Sequence, residues 1–336
     1  MKTKIVFVLT SKDTDIYLEQ LWVSLYSLRK LMPVGEAHVV LITDTITEAT
    51  FVGYRQKLLL LVDEKIVVEL DSNMSGLQRS RWLKTKSRDL VEGDMLYIDS
   101  DTIFVGRLDE LDNLDCELGA VKDCHVGRIN TSCSWDMPKG EMFINDCKKL
   151  GFDPTVEEVT YNGGMIYAKD SQLAHRFFDE WHREWLVGKE KGLNTDQPSF
   201  TRTNIVLNHP ISEISGIWNC QIVYGIKYLS RAKILHYFAT GISKKKTFPY
   251  WFMNNFIYED VKKKGDITDE VKEALGHPLD LFEDDTKILV GEETRVASSR
   301  PYFYALYLYK HKQGIFRLLD KMLRIVSRFR VKYHTV

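Results

Sequence analysis

Residues Glu92 to Gly106 read E-G-D-M-L-Y-I-D-S-D-T-I-F-V-G, and the rest of the chain is read outward from them. Residues 95–98 and 102–105 are apolar runs rich in β-branched and aromatic side chains, which predicts two buried strands. Asp99, Ser100 and Asp101 lie between these runs. Ionised carboxylates beside a sheet interior lose hydration that apolar neighbours do not replace, so they call for a positive partner. Residues two apart on an extended chain point the same way, which lets Asp99 and Asp101 converge on one divalent ion. Oxygen ligands suit Mg or Mn, which keep open positions for phosphate oxygens. The alternative is a pair of turn carboxylates capping backbone N–H groups. A second D-x-D, Asp13 and Asp15, sits in the polar segment T-S-K-D-T-D and is expected to be a solvated loop.

The 336 residues can bury a sizeable core, and the length fits one large domain with an appendage or two modest domains. A net charge of −1 gives no reason to invoke nucleic acid. Five cysteines without a C-x-x-C or regular spacing read as reduced thiols in a cytoplasmic protein. The apolar run at 5–9 is too short for a signal peptide, and no stretch reaches the roughly 18 apolar residues of a spanning helix.

Toward the amino terminus, residues 5–9 form an all-apolar run, the pattern of a buried parallel strand. Residues 17–31 place Leu18, Leu21, Trp22, Leu25 and Leu28 at helical spacing. A strand over 37–43, a helix over 47–61 and a strand over 65–70 continue the alternation. The result is a βαβ sheet with a nucleotide-sized crevice at its strand ends. Among the cations at 75–90, Arg81 and Lys84 share a helix face, from which either reaches the acidic turn.

Toward the carboxyl terminus, residues 118–121 predict a core strand, and 123–153, containing Trp135, a polar insertion of the kind that recognises a second substrate. In Y-N-G-G-M-I-Y-A (161–168), Asn162 offers an amide to sugar hydroxyls, and Gly163 and Gly164 let backbone approach a ligand; the alternative is a plain turn entering a strand. Asp170 is expected to cap a helix to about residue 187, with Leu173, Phe177, Trp181 and Trp185 as its buried stripe. Alone, N-T-D-Q-P at 194–198 reads as another helix cap, and His236 in I-L-H-Y-F-A-T-G-I-S-K-K-K as a core histidine. Residues 255–300 form a charged packing or acceptor-side module after a catalytic domain at 1–254. The last segment, 301–336, is a basic amphipathic tail: Ile315, Leu318, Leu319, Met322, Val326 and Phe329 on one face, Arg317, Lys321, Arg324 and Arg328 on another. Such a helix suits an anionic membrane surface; the alternative is a terminal helix docked on the catalytic domain.

L-Y-I-D-S-D-T-I-F-V, followed by an acidic, leucine-rich 108–111, resembles the metal-binding segment of GT-A glycosyltransferases, most closely those of family 8. The resemblance implies an α/β, Rossmann-like mixed sheet flanked by helices, a UDP-sugar donor, and Mn or Mg held by Asp99 and Asp101. It puts Thr10 and Tyr17 near the uracil, with helix packing as the alternative for Tyr17. It further implies donor contacts from Ser100, Asn162, Gly163 and one of Arg81 and Lys84. Gln197 would face the anomeric carbon and Asp196 hold sugar hydroxyls. His236 would complete the metal site, and Gly241 and Lys244 of G-I-S-K contact the diphosphate, although the gap from His236 to Gly241 is two residues longer than the family pattern. Family 8 implies retention; an inverting enzyme would use Asp196 as base. With the basic tail, the resemblance suggests transfer of galactose or glucose to a glycan or lipid-linked saccharide acceptor, at the inner face of a membrane in lipopolysaccharide or capsule assembly. A non-catalytic sugar-nucleotide or glycan-binding protein on the same fold is the alternative. A sugar-nucleotide pyrophosphorylase would need a glycine-rich, arginine-bearing loop after Leu9, which the sequence lacks.

Overall fold

The computed structural model describes residues 1–125, 137–154, 159–238, 248–284, 286–287, 289, 291–297 and 299–328. Its strands are β1 (Lys4–Leu9), β2 (Val39–Asp44), β3 (Glu64–Val68), β4 (Met95–Ile98), β5 (Thr102–Phe104), β6 (Leu118–Lys122), β7 (Tyr161–Ala168), β8 (Ser212–Glu213), β9 (Cys220–Gln221) and β10 (Ile234–His236). The helices of the first unit are α1 (Tyr17–Leu31), α2 (Thr45–Glu48), α3 (Gly76–Thr85), α4 (Ser87–Leu90), α5 (Met137–Lys149), α6 (Gln172–Glu190), α7 (Gln197–Val206), α8 (Asn255–Lys264) and α9 (Asp269–Ala274), with α5 starting in the second unit.

A seven-stranded sheet runs in the order β3-β2-β1-β4-β7-β6-β8. β1, β2, β3 and β4 are mutually parallel, while β7 lies antiparallel to β4 and β6, so the sheet is mixed. From β1 the chain moves outward to β2 and β3, then returns to place β4 on the other side of β1. That reversal opens a crevice at the carboxyl ends of β1 and β4. The period-two pattern of β1 supplies both faces. Ile5, Phe7 and Leu9 pack with Leu18, Leu21, Trp22 and Leu25 of α1, and Val6 packs with Tyr97, Phe177, Trp181 and Phe200 on the opposite face.

Several local expectations are revised. The helix expected over 47–61 is replaced by the single turn of α2 and a 3-10 segment, Gly53–Leu61. Gly53 there has φ +57, which interrupts a helix. α6 is capped by Ser171, whose Oγ accepts from Ala174 N, and not by Asp170, whose carboxylate accepts from Gly93 N at 2.7 Å. Residues 255–284 belong to the first compact unit, which extends to Thr286. Ile257, Tyr258 and Val261 of α8 and Val271 of α9 are buried in its core, and the Tyr258 and Tyr237 hydroxyls lie 2.6 Å apart.

The second compact unit holds α10 (Glu292–Ala297), α11 (Arg300–His311) and α12 (Gln313–Arg328). Along α12, Ile315, Leu318, Met322 and Val326 are exposed. Among the described residues no helix is long and apolar enough to cross a membrane.

Candidate active site

The chain leaves the large sheet at Asp99 and re-enters regular structure at β5, in a separate three-stranded sheet ordered β5-β10-β9. β10 pairs antiparallel to β5 with His236 opposite Thr102, which sets the imidazole beside the acidic turn. Asp99, Asp101 and His236 each offer a ligand atom within 4.8 Å of the others. His236 Nε2 faces Asp101 Oδ1 at 3.3 Å. Burial alone would raise the Asp101 carboxyl; His236, while its ring is protonated, and Lys84 outweigh burial and hold the carboxyl below the ordinary range.

The space around these ligands is kept open by Gly164 on β7. Its carbonyl accepts from Asp99 N at 2.8 Å. A Cβ there would lie 2.7 Å from Asp99 Oδ2, 2.7 Å from His236 Cε1 and 3.0 Å from Asn162 Oδ1. Two carboxylates and an imidazole converging around such a cradle fit a divalent cation.

α3 and the start of α7 supply the surrounding charge. Lys84 Nζ lies 3.4 Å from Asp99 Oδ1 and 3.1 Å from Asp196 Oδ2, and Arg81 Nε lies 2.9 Å from Asp196 Oδ1. Both cations therefore engage Asp196, while Lys84 also reaches the turn. Burial would raise the Asp196 carboxyl, but Arg81 and Lys84 together hold it at about 2. The Tyr97 hydroxyl donates to Asp99 Oδ1 at 2.5 Å. Gln197 is locked to β7, with its Nε2 donating to Tyr161 O at 2.5 Å and its Oε1 accepting from Gly163 N at 3.2 Å.

In front of the turn opens a cleft of about 510 Å³, lined by Thr10, Tyr17, Gly76, Arg81, Asp99, Ser100 and Asp101 among others. The Thr10 hydroxyl donates to Gly76 O at 3.0 Å, and Tyr17 is half-exposed. The solvated-loop reading holds for Asp13, exposed in a turn, and is corrected for Asp15. Asp15 also lines the cleft, and its carboxylate accepts from Ser11 Oγ at 2.7 Å, Lys12 N at 2.8 Å and Tyr17 N at 3.2 Å. Lys262 of α8 donates to the Asp13 and Asp15 carbonyl oxygens and ties this loop down.

Asn162 is buried, and its amide is committed within the protein. Oδ1 accepts from Gly164 N and from Asn219 Nδ2, both at 3.0 Å, and Nδ2 donates to Asp123 Oδ1 at 2.8 Å. Asn219 and Asp123 were not singled out in the sequence, where neither carries a spacing signal. Gly241 and Lys244, with Trp135 and Phe329, lie outside the described residues.

No curated protein is similar to the chain in sequence. Among solved structures it resembles the galactosyltransferase LgtC in complex with donor and acceptor sugar analogs, at 15% identity, covering 81% of this chain and 99% of that one with a TM-score of 0.52. An active-site mutant of LgtC gives 15% identity, 80% and 99% coverage and the same TM-score of 0.52. The glycosyltransferase GlyE of Streptococcus pneumoniae TIGR4 is 16% identical over 86% of this chain and 66% of that one, with a TM-score of 0.46. At such identities the likeness to LgtC is one of fold. The family model of glycosyl transferase family 8 matches residues 8–245. Because that match takes in most of the chain, from β1 to just past His236, the protein belongs to glycosyl transferase family 8 and is a glycosyltransferase of the GT-A fold.

Proposed function

We propose that this glycosyltransferase moves a hexose, galactose or glucose, from a UDP-sugar to a membrane-associated glycan or lipid-linked saccharide, with retention of anomeric configuration. The observation that carries the reading is the convergence of Asp99, Asp101 and His236 at the inner side of the cleft lined by Thr10, Tyr17 and Arg81. A Mn or Mg ion held by those three side chains would neutralise the departing diphosphate. Around it, Tyr97 orients the Asp99 carboxylate and Lys84 balances its charge. Arg81 presents guanidinium N–H groups to the cleft for phosphate oxygens. Thr10 and Tyr17 serve the uracil end and Ser100 the donor beside the ion. Gly241 and Lys244 are assigned to the diphosphate by the family pattern alone.

Two local features favour retention. A carboxyl held at about 2 is a weak proton acceptor at neutral pH, so Asp196 suits charge organisation better than the base of an inverting reaction. Gln197, fixed by Tyr161 and Gly163, offers a rigid polar group for attack on the same face as the leaving phosphate. The test is UDP release from a panel of UDP-sugars without acceptor, with Mn and with chelator. Metal-dependent release from one donor is expected and identifies the sugar. Absence of both release and donor binding across the panel would turn the reading toward a non-catalytic protein.

For the membrane part, the support is α12, which exposes Leu318, Met322 and Val326 alongside Arg317, Lys321 and Arg324. Apolar burial and charge attraction add at an anionic surface. The reading puts the enzyme peripherally at the inner face of the cell membrane, in cell-surface polysaccharide assembly. Deleting residues 301–336 is expected to abolish co-sedimentation with phosphatidylglycerol vesicles and leave donor hydrolysis intact. Undiminished co-sedimentation would refute this part.

A further inference from the structure

Behind the imidazole of His236 runs a chain of buried hydrogen bonds with a fixed direction. His236 Nδ1 lies 3.0 Å from Asn219 Oδ1, Asn219 Nδ2 donates to Asn162 Oδ1 at 3.0 Å, and Asn162 Nδ2 donates to Asp123 Oδ1 at 2.8 Å. Asn219, Asn162 and His236 are all buried. Side-chain amides can usually be turned over without changing their shape. Here they cannot, because Asn162 Oδ1 also accepts from the backbone N–H of Gly164 at 3.0 Å. A main-chain N–H only donates, so the oxygen of Asn162 must face it. Asn219 must then present its NH₂ to that oxygen, which leaves its own oxygen for the imidazole. An oxygen accepts only from a protonated nitrogen, so Nδ1 carries the hydrogen and a neutral ring keeps its lone pair on Nε2. That nitrogen faces Asp101. The ring is also held in plane by Phe238, stacked on it with centroids 3.8 Å apart.

We propose that Asn219 is a positioning residue of the metal centre: oriented by Asn162 and the Gly164 N–H, it holds His236 as the Nδ1–H tautomer, with the Nε2 lone pair turned toward Asp99 and Asp101. The proposal rests on the reading of those three residues as ion ligands, and its test separates the two. Partners of this kind, standing behind a ligating histidine, typically change metal affinity by about 10–100-fold when removed.

The experiment uses the full chain, free of metal and labelled with 15N at histidine, at about pH 8, above the ordinary imidazole range. Long-range proton–nitrogen correlation reports which ring nitrogen of His236 is protonated, the signal being assigned by its loss in His236→Gln. Wild type is expected to be protonated on Nδ1. Protonation on Nε2 with Nδ1 left bare overturns the proposal and requires no variant to be folded. Asn219→Ala is expected to move the proton to Nε2 and weaken Mn(II) binding, read as free ion by EPR, by about 10–100-fold. Asn219→Asp keeps an acceptor for Nδ1–H and is expected to keep the tautomer and return affinity to within about tenfold of wild type. An unchanged tautomer in Asn219→Ala, or Nε2 protonation in Asn219→Asp, overturns the proposal. Equal Mn(II) affinity in wild type and His236→Gln overturns the ion reading itself, and the proposal with it.

Discussion

In an Asp99→Ala, Asp101→Ala double variant, metal-dependent UDP release falls by about 10³-fold or more while the chain stays folded. The loss follows from removing both carboxylates from the cluster and leaving His236 alone, too few ligands to hold a divalent ion. A thousandfold corresponds to about 4 kcal/mol of lost transition-state stabilisation, in the range a metal supplies to a departing oxyanion. Folding survives because Lys84, the buried cation paired with Asp99, keeps Asp196 at 3.1 Å and is not orphaned. The Tyr97 hydroxyl loses its acceptor, which costs about 1–3 kcal/mol. Asp99→Asn retains an acceptor for Tyr97 and separates that stability cost from the loss of charge. Thermal melts, Mn(II) binding and UDP release are to be followed together. Unchanged metal-dependent donor binding in the folded double variant would refute the assignment.

Gly164→Ala is expected to reduce donor turnover by about 10²-fold, and Gly163→Ala by less than about tenfold. The two positions are adjacent on one strand and differ only in what a methyl group meets. At Gly164 it lies 2.7 Å from both Asp99 Oδ2 and His236 Cε1. The imidazole has little room to give way, tied at Nδ1 to Asn219 and stacked on Phe238. Asp99 can rotate only by leaving Tyr97 and Lys84. Either movement misplaces a ligand, and displacements of about 1 Å at a reacting centre cost on the order of 10²-fold. At Gly163 the nearest atoms are Gln197 Oε1 at 3.3 Å, a contact that asks for a shift of a few tenths of an ångström within its bonds to Tyr161 and Gly163, and Lys84 Nζ at 3.8 Å, and no member of the metal cluster is met. Steady-state kinetics and Mn(II) affinity of the two variants decide the matter, and the reverse ranking would contradict the geometry.

Asp99 and Asp101 were legible in the sequence because charge between two apolar runs is a chemical conflict visible without a structure. Likewise α1, its apolar residues at helical spacing, has the bounds its periodicity predicts. Other features depend on pairings that spacing does not encode. β4 and β5 read as two similar strands, yet they belong to different sheets because β10, far along the chain, pairs with only one of them. Gly163 and Gly164 are equivalent letters, and only the approach of Asp99 and His236 leaves no room for a methyl group at the second. Asn219 stands between Trp218 and Cys220 in a segment with no pattern, and its role depends on the direction of a hydrogen bond made 57 residues away. Polar neighbours make Asp15 read as solvated in the sequence, whereas its carboxylate accepts from three local donors.

The separate sheet that carries His236 also sets a timetable for biosynthesis. From Asp101 to His236 is 135 residues (236 − 101), all of which must be polymerised before β10 can meet β5. At about 5–20 residues per second, the ribosome delivers the histidine roughly 7 to 27 seconds after the aspartates. Throughout that interval the emerging polypeptide carries two of the three members of the cluster and no strand to close it. Products that stop short of residue 236 are therefore expected to lack both the imidazole of the cluster and the strand that carries it.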